Sequence, residues 1–368
     1  MRRMQVQLND FELVTKGPKK MERIKIVGDY PRHRLAEMLF SNLGLMHLVA
    51  PYLPAVIKTD FVVHPRMQGL IAAMYASEKH PRPVFRTPRG NWSWPILPKT
   101  DPGRAAVAYS GGKDSLWNVW WTQERYGSDN VIAVHLGGLN QGQKTQEAAS
   151  AVRQSRALGF RLQTIRLLNS SGNHGHLVMR SRDMFLAGLI VPVAMEFGAG
   201  RVIIEGCPSG NPEMHFTERA ENFQFFNRIL KELGIPVRVG WRLREEIDVV
   251  RDLLKHRPRW LPLVCNCFSA ACYKPFLRRS WQSRAPTLPL YESQCGSCFK
   301  CRTVNLGRVL YDPVMQGADP DDIRDFLRNT HRWMRENRER MADIMGESFV
   351  TGFNRAVRRY GLSSLAVA

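Results

Sequence analysis

The chain of 368 residues is 44% apolar and 10% aromatic, which excludes a disordered or low-complexity protein and leaves room for two or more domains around a sizeable core. Its formal charge of +20 points to a polyanionic partner such as tRNA or DNA, to a protein partner with an acidic face, or to an Arg-rich surface that is only solvated. No apolar run reaches the ~18 residues of a membrane span and the first residues lack an apolar signal core, so a cytoplasmic protein with no membrane segment is expected.

In chain order, residues 1–103 form a basic N-terminal extension. It holds a short strand-like run at Ile24–Val27 and an amphipathic segment at Arg34–Leu45. It ends in a Pro-rich stretch, from Pro81 and Pro83 to Pro95, Pro98 and Pro102, that reads as an extended linker. In residues 104–262, strand-like runs at 105–109, 131–136, 162–167 and 201–205 are separated by helix-length segments such as Lys144–Leu158 and Asp183–Phe197. That alternation predicts an α/β domain with a doubly wound parallel sheet and helices on both faces. Residues 263–303 hold a cysteine cluster and a basic insertion with Lys274, Arg278, Arg279 and Arg284. The tail, 304–368, carries helical patterns at Ile323–Arg328 and Trp333–Met345 whose apolar faces are expected to pack on the core.

Ser110-Gly111-Gly112-Lys113-Asp114-Ser115 is the most specific stretch, because it follows the apolar run Ala105–Tyr109 and opens the helical run Leu116–Gln123. The glycines let the backbone approach an anion, the helix start offers unpaired N–H groups and a positive dipole end, and Lys113 adds a full charge. The stretch therefore predicts a phosphate cradle. It is not a Walker A loop, since Asp114 follows Lys113 and Val107 stands where the leading glycine of that motif would be. Arg182, opening a later helix, can neutralise a phosphate. Glu205 ends a strand-like run, at the kind of sheet edge where open parallel sheets hold ligands.

Seven cysteines, an odd number crowded mainly between 265 and 301, read as metal ligands rather than disulfides. Cys295, Cys298 and Cys301 lie at regular spacing, with Gly296 allowing a tight turn that converges their thiols. A structural zinc would take its fourth ligand from Cys265, Cys267 or Cys272. An iron–sulfur cluster and unmetallated buried thiols are the competing readings, the former lacking the closing Cys-Pro of ferredoxin motifs.

The SGGKDS loop resembles that of the PP-loop ATP pyrophosphatase superfamily, whose enzymes attack the α-phosphate of ATP, adenylate a substrate oxygen and release pyrophosphate. Together with the late Cys-Gly-x-Cys-x-x-Cys, it is similar to the 7-cyano-7-deazaguanine synthase family, which converts 7-carboxy-7-deazaguanine to an amide and then a nitrile. Gly142-Gln143-Lys144, Arg182-Asp183 and Arg244-Glu245-Glu246-Ile247 stand where that family has comparable strings, over roughly residues 104–303. The family's His after its Gly-Gln pair is Thr145 here, and its substrate segment is only echoed by Asn211-Pro212-Glu213-Met214, so the chain looks like a divergent branch.

The resemblance implies an ATP-dependent, carbon–nitrogen bond-forming ligase. It would bind ATP and Mg2+ on Ser110, Gly111, Gly112, Lys113, Asp114 and Ser115, with Lys113, Asp114 and Arg182 catalytic. Gln143, Glu205 and Glu213 would bind a deazaguanine-type substrate. Zn2+ would sit on Cys267, Cys295, Cys298 and Cys301. The rivals are a tRNA-modifying PP-loop enzyme that thiolates or aminates a base, and a basic nucleic-acid or protein-binding subunit without turnover. A homodimer is one candidate assembly.

Overall fold

The computed structural model describes residues 3–16, 21–90, 97–138, 144–169, 177, 180–205, 216, 219–242, 244–264, 288–291, 294, 296, 298–336 and 347–367. The chain begins with β1 (Arg3–Asn9), β2 (Glu12–Lys16), β3 (Arg23–Val27), α1 (Arg34–Val49), β4 (Val56–Thr59), α2 (Pro65–Ser77) and β5 (Val84–Arg86). An alternating series follows: β6 (Asp101–Tyr109), α3 (Lys113–Tyr126), β7 (Val131–Gly137), α4 (Lys144–Leu158), β8 (Arg161–Asn169), α5 (Arg182–Glu196), β9 (Ala199–Glu205), α6 (Ala220–Glu232), β10 (Arg238–Arg242) and α7 (Glu246–His256). The C-terminal part is helical, with α8 (Phe299–Tyr311), α9 (Pro313–Gln316), α10 (Pro320–Glu336) and α11 (Glu347–Arg359).

The strands form one sheet in the order β10-β9-β6-β7-β8-β3-β2-β1-β4-β5. The half from β10 to β8 is parallel, as the alternation predicts. Its β6 carries the run Ala105-Ala106-Val107 with no exposed surface, the near-continuous apolar pattern of a strand covered on both faces. Helices α3, α4 and α7 pack on one face, where Leu116, Ala151 and Val250 share a core with Ala105 and Val107. Helices α1, α5 and α6 share the other core with Ala106, Val202 and Ile204.

The N-terminal strands join this sheet through β3, which pairs antiparallel with β8, Ile26 opposite Leu167. Helix α1 packs on α5 at Gly188, where a Cβ would lie 2.0 Å from Leu43 Cδ1, and on β2 at Gly44, where a Cβ would lie 2.5 Å from Leu13 Cδ1. Residues 34–49 are therefore nearly all buried, which explains why their one-sided amphipathic pattern is weak. Part of the Pro-rich stretch is strand: β5 pairs with β4, and Pro102 lies in β6 just where its register against β9 shifts. A proline is tolerated there because the ladder is already interrupted.

In the tail, α10 and α11 bury Ile323, Phe326, Leu327, Phe349, Phe353 and Val357 against Leu306 and Val309 of α8. The helical pattern of Ile323–Arg328 lies within α10. Helix α11, with its buried stripe at Phe349, Phe353 and Ala356, is an element that the sequence patterns did not single out. No helix is long and apolar enough to cross a membrane, among the described residues.

Candidate functional site

Strands β6 and β9 are hydrogen-bonded neighbours, yet the helices that follow them lie on opposite faces, α3 on one and α6 on the other. Such a reversal opens a crevice at the C-terminal strand ends, where open α/β sheets hold ligands. Ser110–Gly112 leave β6 on one side of it, and Glu205 ends β9 on the other.

The loop folds as its residues dictate. Gly111 has φ +83°, left-handed backbone that favours glycine, and Gly112 caps α3 without any side-chain hydrogen bond to the helix start. The two serines brace the turn internally: Ser115 Oγ accepts from Ser110 N at 3.2 Å and lies 3.1 Å from Ser110 Oγ, which in turn accepts from Gly112 N at 3.3 Å. Among the described residues no side chain caps the opening amides of α3, the arrangement that suits an anion.

Gln154 of α4, fully buried, holds the loop from beneath. Its Nε2 donates to Gly111 O at 3.1 Å and to Leu263 O at 2.5 Å, while its Oε1 accepts a short hydrogen bond from Tyr109. A Cβ on Gly111 would stand 3.2 Å from that Oε1. One side chain therefore ties together the end of β6, the loop and the start of the cysteine-containing segment. Sequence reading missed it because a Gln inside an amphipathic helix carries no motif signal.

Lys113 is 1% exposed and does not project into solvent. Its Nζ donates to both Asp114 carboxylate oxygens, at 2.6 and 2.7 Å, and lies 3.7 Å from Glu246 Oε2 at the start of α7. Burial alone would lower its pKa, but Asp114, Glu246 and Glu205 outweigh it and hold the ammonium well above its ordinary value. The lysine is a permanent cation at the crevice floor.

Glu205 feels Asp114, Lys113, Arg182 and Lys300 electrostatically, so the crevice gathers residues from β9, α3, α5 and α8. The residue is exposed at the end of β9, with enough protein around its carboxyl to disfavour the charge. The surrounding protein mass pushes its pKa up and Asp114 adds to this; Lys300, Lys113 and Arg182 pull it back, leaving it at about 7. Arg182 opens α5, its Nε donating to Asp183 Oδ1 at 2.8 Å. Lys300 and Glu246 were not singled out from sequence as site residues, and the first is carried in by the cysteine segment itself.

Behind the loop, His135 Nδ1 lies 2.9 Å from Tyr109 O, an acceptor, so this nitrogen carries the proton. Burial lowers its pKa and keeps the ring neutral.

Cys298 caps α8 and is half-buried, and Cys301, one turn into the helix, is buried. Gly296 has φ +75°, a left-handed turn where the sequence requires one. Gln143, Glu213, Cys267 and Cys295 lie outside the described residues, as do Cys265, Cys272 and the basic run Lys274–Arg284. Among the described residues no group of three or more His, Cys, Asp or Glu is placed to hold a metal.

The site thus belongs to a mixed α/β protein with a large, mostly parallel sheet and a Gly-rich loop at its switch crevice. No protein-family model and no curated protein matches the chain. Among solved structures it is similar to a glutamine-dependent NAD+ synthetase from Acinetobacter baumannii in complex with adenosine diphosphate, at 14% identity over 89% of this chain and 49% of that one, with a TM-score of 0.24. It is also similar to a type III CRISPR defence DNA nuclease activated by cyclic oligoadenylate, at 14% identity over 83% of this chain and 55% of that one, with a TM-score of 0.21. The chain spans about half the length of each, and TM-scores this low carry no argument about chemistry.

Proposed function

We propose that the protein is an ATP-dependent adenylating enzyme of the PP-loop type, acting on a carboxylate or amide oxygen and passing the activated group to ammonia or another amine. The observation that carries this reading is the SGGKDS loop at the β6–β9 crevice, with Gly111 in left-handed backbone and α3 uncapped by any side chain. The polyphosphate of ATP would lie against the loop amides, and Arg182 and Lys300 would balance its charge from the facing helices.

In the reaction, the substrate carboxylate oxygen attacks the α-phosphorus and pyrophosphate leaves, forming an acyl adenylate. Ammonia then attacks the acyl carbon, the C–O bond to AMP breaks, and the amide forms with loss of one proton. In a second round the amide oxygen attacks the α-phosphorus of another ATP and pyrophosphate leaves; loss of both amide N–H protons and of AMP, with its oxygen, would then give a nitrile. The loop amides and the guanidinium of Arg182 would stabilise the charge that builds on the departing pyrophosphate.

Asp114, Glu205 and Glu246 put three carboxyl groups beside the loop, and Lys113 pairs with Asp114 and lies near Glu246. Hard oxygen donors beside a polyphosphate fit Mg2+, which when bound would supply charge neutralisation to the phosphates. Cys298 and Cys301 fit two positions of a zinc site completed by Cys267 and Cys295, which would pin the segment that carries Lys300.

The resemblance of the loop and the cysteine spacing to 7-cyano-7-deazaguanine synthases supports a 7-deazaguanine as the acceptor. The test is mass spectrometry of products from ATP, ammonia and 7-carboxy-7-deazaguanine, with pyrophosphate release followed in parallel. AMP and pyrophosphate formed only with the deazaguanine support the reading, and the same products formed only with tRNA select the tRNA-modifying alternative. No pyrophosphate with either acceptor leaves a binding subunit without turnover.

A further inference from the structure

The edge strand β10 buries one side and leaves the other to arginine. Val239 is buried, and Trp241 packs on Phe223 with ring centroids 5.8 Å apart. By the strand's alternation Arg238, Gly240 and Arg242 face the opposite way, toward α3. There the guanidinium carbon of Arg242 lies 3.4 Å from the centroid of the Trp121 ring. Arg125 lies 5.4 Å from Trp121 and 5.7 Å from Tyr126, and Arg201 lies 5.9 Å from Tyr126.

Three guanidinium groups are therefore gathered on two aromatic rings rather than on carboxylates. The acids nearest Arg125 in sequence are engaged elsewhere, Glu124 with Arg257 and Asp129 with Arg161. The arrangement is electrostatically costly: burial lowers the Arg242 pKa, and Arg125 and Arg201 lower it further. Ring stacking orients a guanidinium through its face and leaves its N–H edge open for a bidentate acceptor. Among the described residues, Arg201 spends one donor on the backbone, Nε to Pro102 O at 2.8 Å, and the Arg242 Nε is buried without a hydrogen-bond partner, so Arg242 can offer only its two outer nitrogens.

We propose that the strip formed by Trp121, Arg125, Tyr126, Arg201 and Arg242 is a docking surface for single-stranded nucleic acid. Phosphates would take the outer guanidinium nitrogens and relieve the repulsion among them. Trp121 is already covered by Arg242 and stacked on Trp117, so the ring of Tyr126 would meet an unpaired base, whose face a duplex hides. Arg242 stands in register with Glu205, so one end of the strip borders the crevice and a bound strand would run toward it. The inference does not depend on adenylation, since the strip residues are distinct from those of the loop.

The test is fluorescence anisotropy of the full-length protein with a labelled single-stranded RNA oligonucleotide, titrated at increasing salt. Replacing Arg125, Arg201 and Arg242 together by Gln should weaken binding at least about tenfold at low salt and flatten the log Kd against log salt slope by about 2, as expected for three lost phosphate contacts on a single strand. Because Arg242 is partly buried, Arg125→Gln with Arg201→Gln serves as a second variant, with a slope change of about 1.4. An unchanged slope in a folded variant, or no wild-type binding at low salt, overturns the proposal. So does tighter binding of duplex than of single strand. Displacement of the RNA by polyglutamate at equal charge concentration assigns the strip to an acidic protein instead. Pyrophosphate release measured on the same variants separates loss of this surface from failure of the adenylation reading.

Discussion

Replacing Gln154 by Met tests whether the loop is held from beneath. The side chain is fully buried and serves three partners: Gly111 O, Leu263 O and the Tyr109 hydroxyl. Methionine has nearly the same length and volume, so packing is kept while two carbonyls and one hydroxyl lose their partner. A buried polar group left unpaired costs about 1–3 kcal/mol, and carbonyls retain some capacity to find other donors, so a loss of about 2–5 kcal/mol in unfolding free energy is expected. The assay is urea unfolding followed by fluorescence, which reports on Trp117, Trp120 and Trp260 around the same core. Steady-state ATP turnover adds a second readout: a loosened Gly111 should raise KM for ATP and lower kcat together. A folded Gln154→Met protein with an unchanged urea midpoint and unchanged KM would refute the anchoring role.

Gly111→Ala should impair ATP use and cost about 1–2 kcal/mol, because it combines left-handed backbone with a Cβ placed 3.2 Å from Gln154 Oε1; circular dichroism melts with pyrophosphate release check it. Lys113→Met should abolish ATP-to-AMP conversion and also destabilise the fold by about 3–5 kcal/mol, since it strands Asp114 beside Glu246; Asp114→Asn should lose activity with a smaller loss of stability, and urea titrations compare the two. In the metal-free and nucleotide-free protein the Glu205 carboxyl should titrate near 7 in carbon-13 spectra. A raised acid binds its proton more tightly in the fold, so stability should fall as pH rises from about 4.5 to 7 and then level off, and Glu205→Gln should remove that step. One zinc per chain is expected by elemental analysis, lost in Cys298→Ser with Cys301→Ser, and chelation should lower thermal stability rather than only slow turnover.

The central parallel strands were legible because buried apolar runs, Gly-rich turns and helix-length spacers repeat in register with the fold. Runs 131–136 and 201–205 fall inside β7 and β9, and Lys144–Leu158 coincides with α4. The loop was legible for a stronger reason: its chemistry needs glycine at a left-handed position and a helix directly afterwards, and both are local. What sequence hid is non-local. The β1–β2 hairpin turns on Asp10 and Phe11, both at positive φ, where no glycine marks the turn. Strand β3 finds its partner in β8, far along the chain, and no short-range pattern encodes that pairing. Gln154, Glu246 and Lys300 reach the loop only because α4, α7 and α8 pack around it.

The burial of Lys113 changes how the loop's charge works. An exposed lysine would meet a phosphate as a flexible counterion, whereas here the ammonium is fixed on Asp114 before any ligand arrives. Its effect on a bound polyphosphate would then be indirect: it holds the Asp114 carboxyl in place and limits the repulsion that Asp114, Glu246 and Glu205 would otherwise exert. Direct charge toward the crevice falls to Arg182 and Lys300, which come from two different parts of the chain. Lys300 lies between Cys298 and Cys301, so whatever fixes those thiols also fixes a crevice cation. Gln154 adds a second link, since it holds Leu263, the last part of the chain before the cysteines, to Gly111. Leu263 and Gly111 are therefore held by the same side chain, and loosening one should be felt at the other.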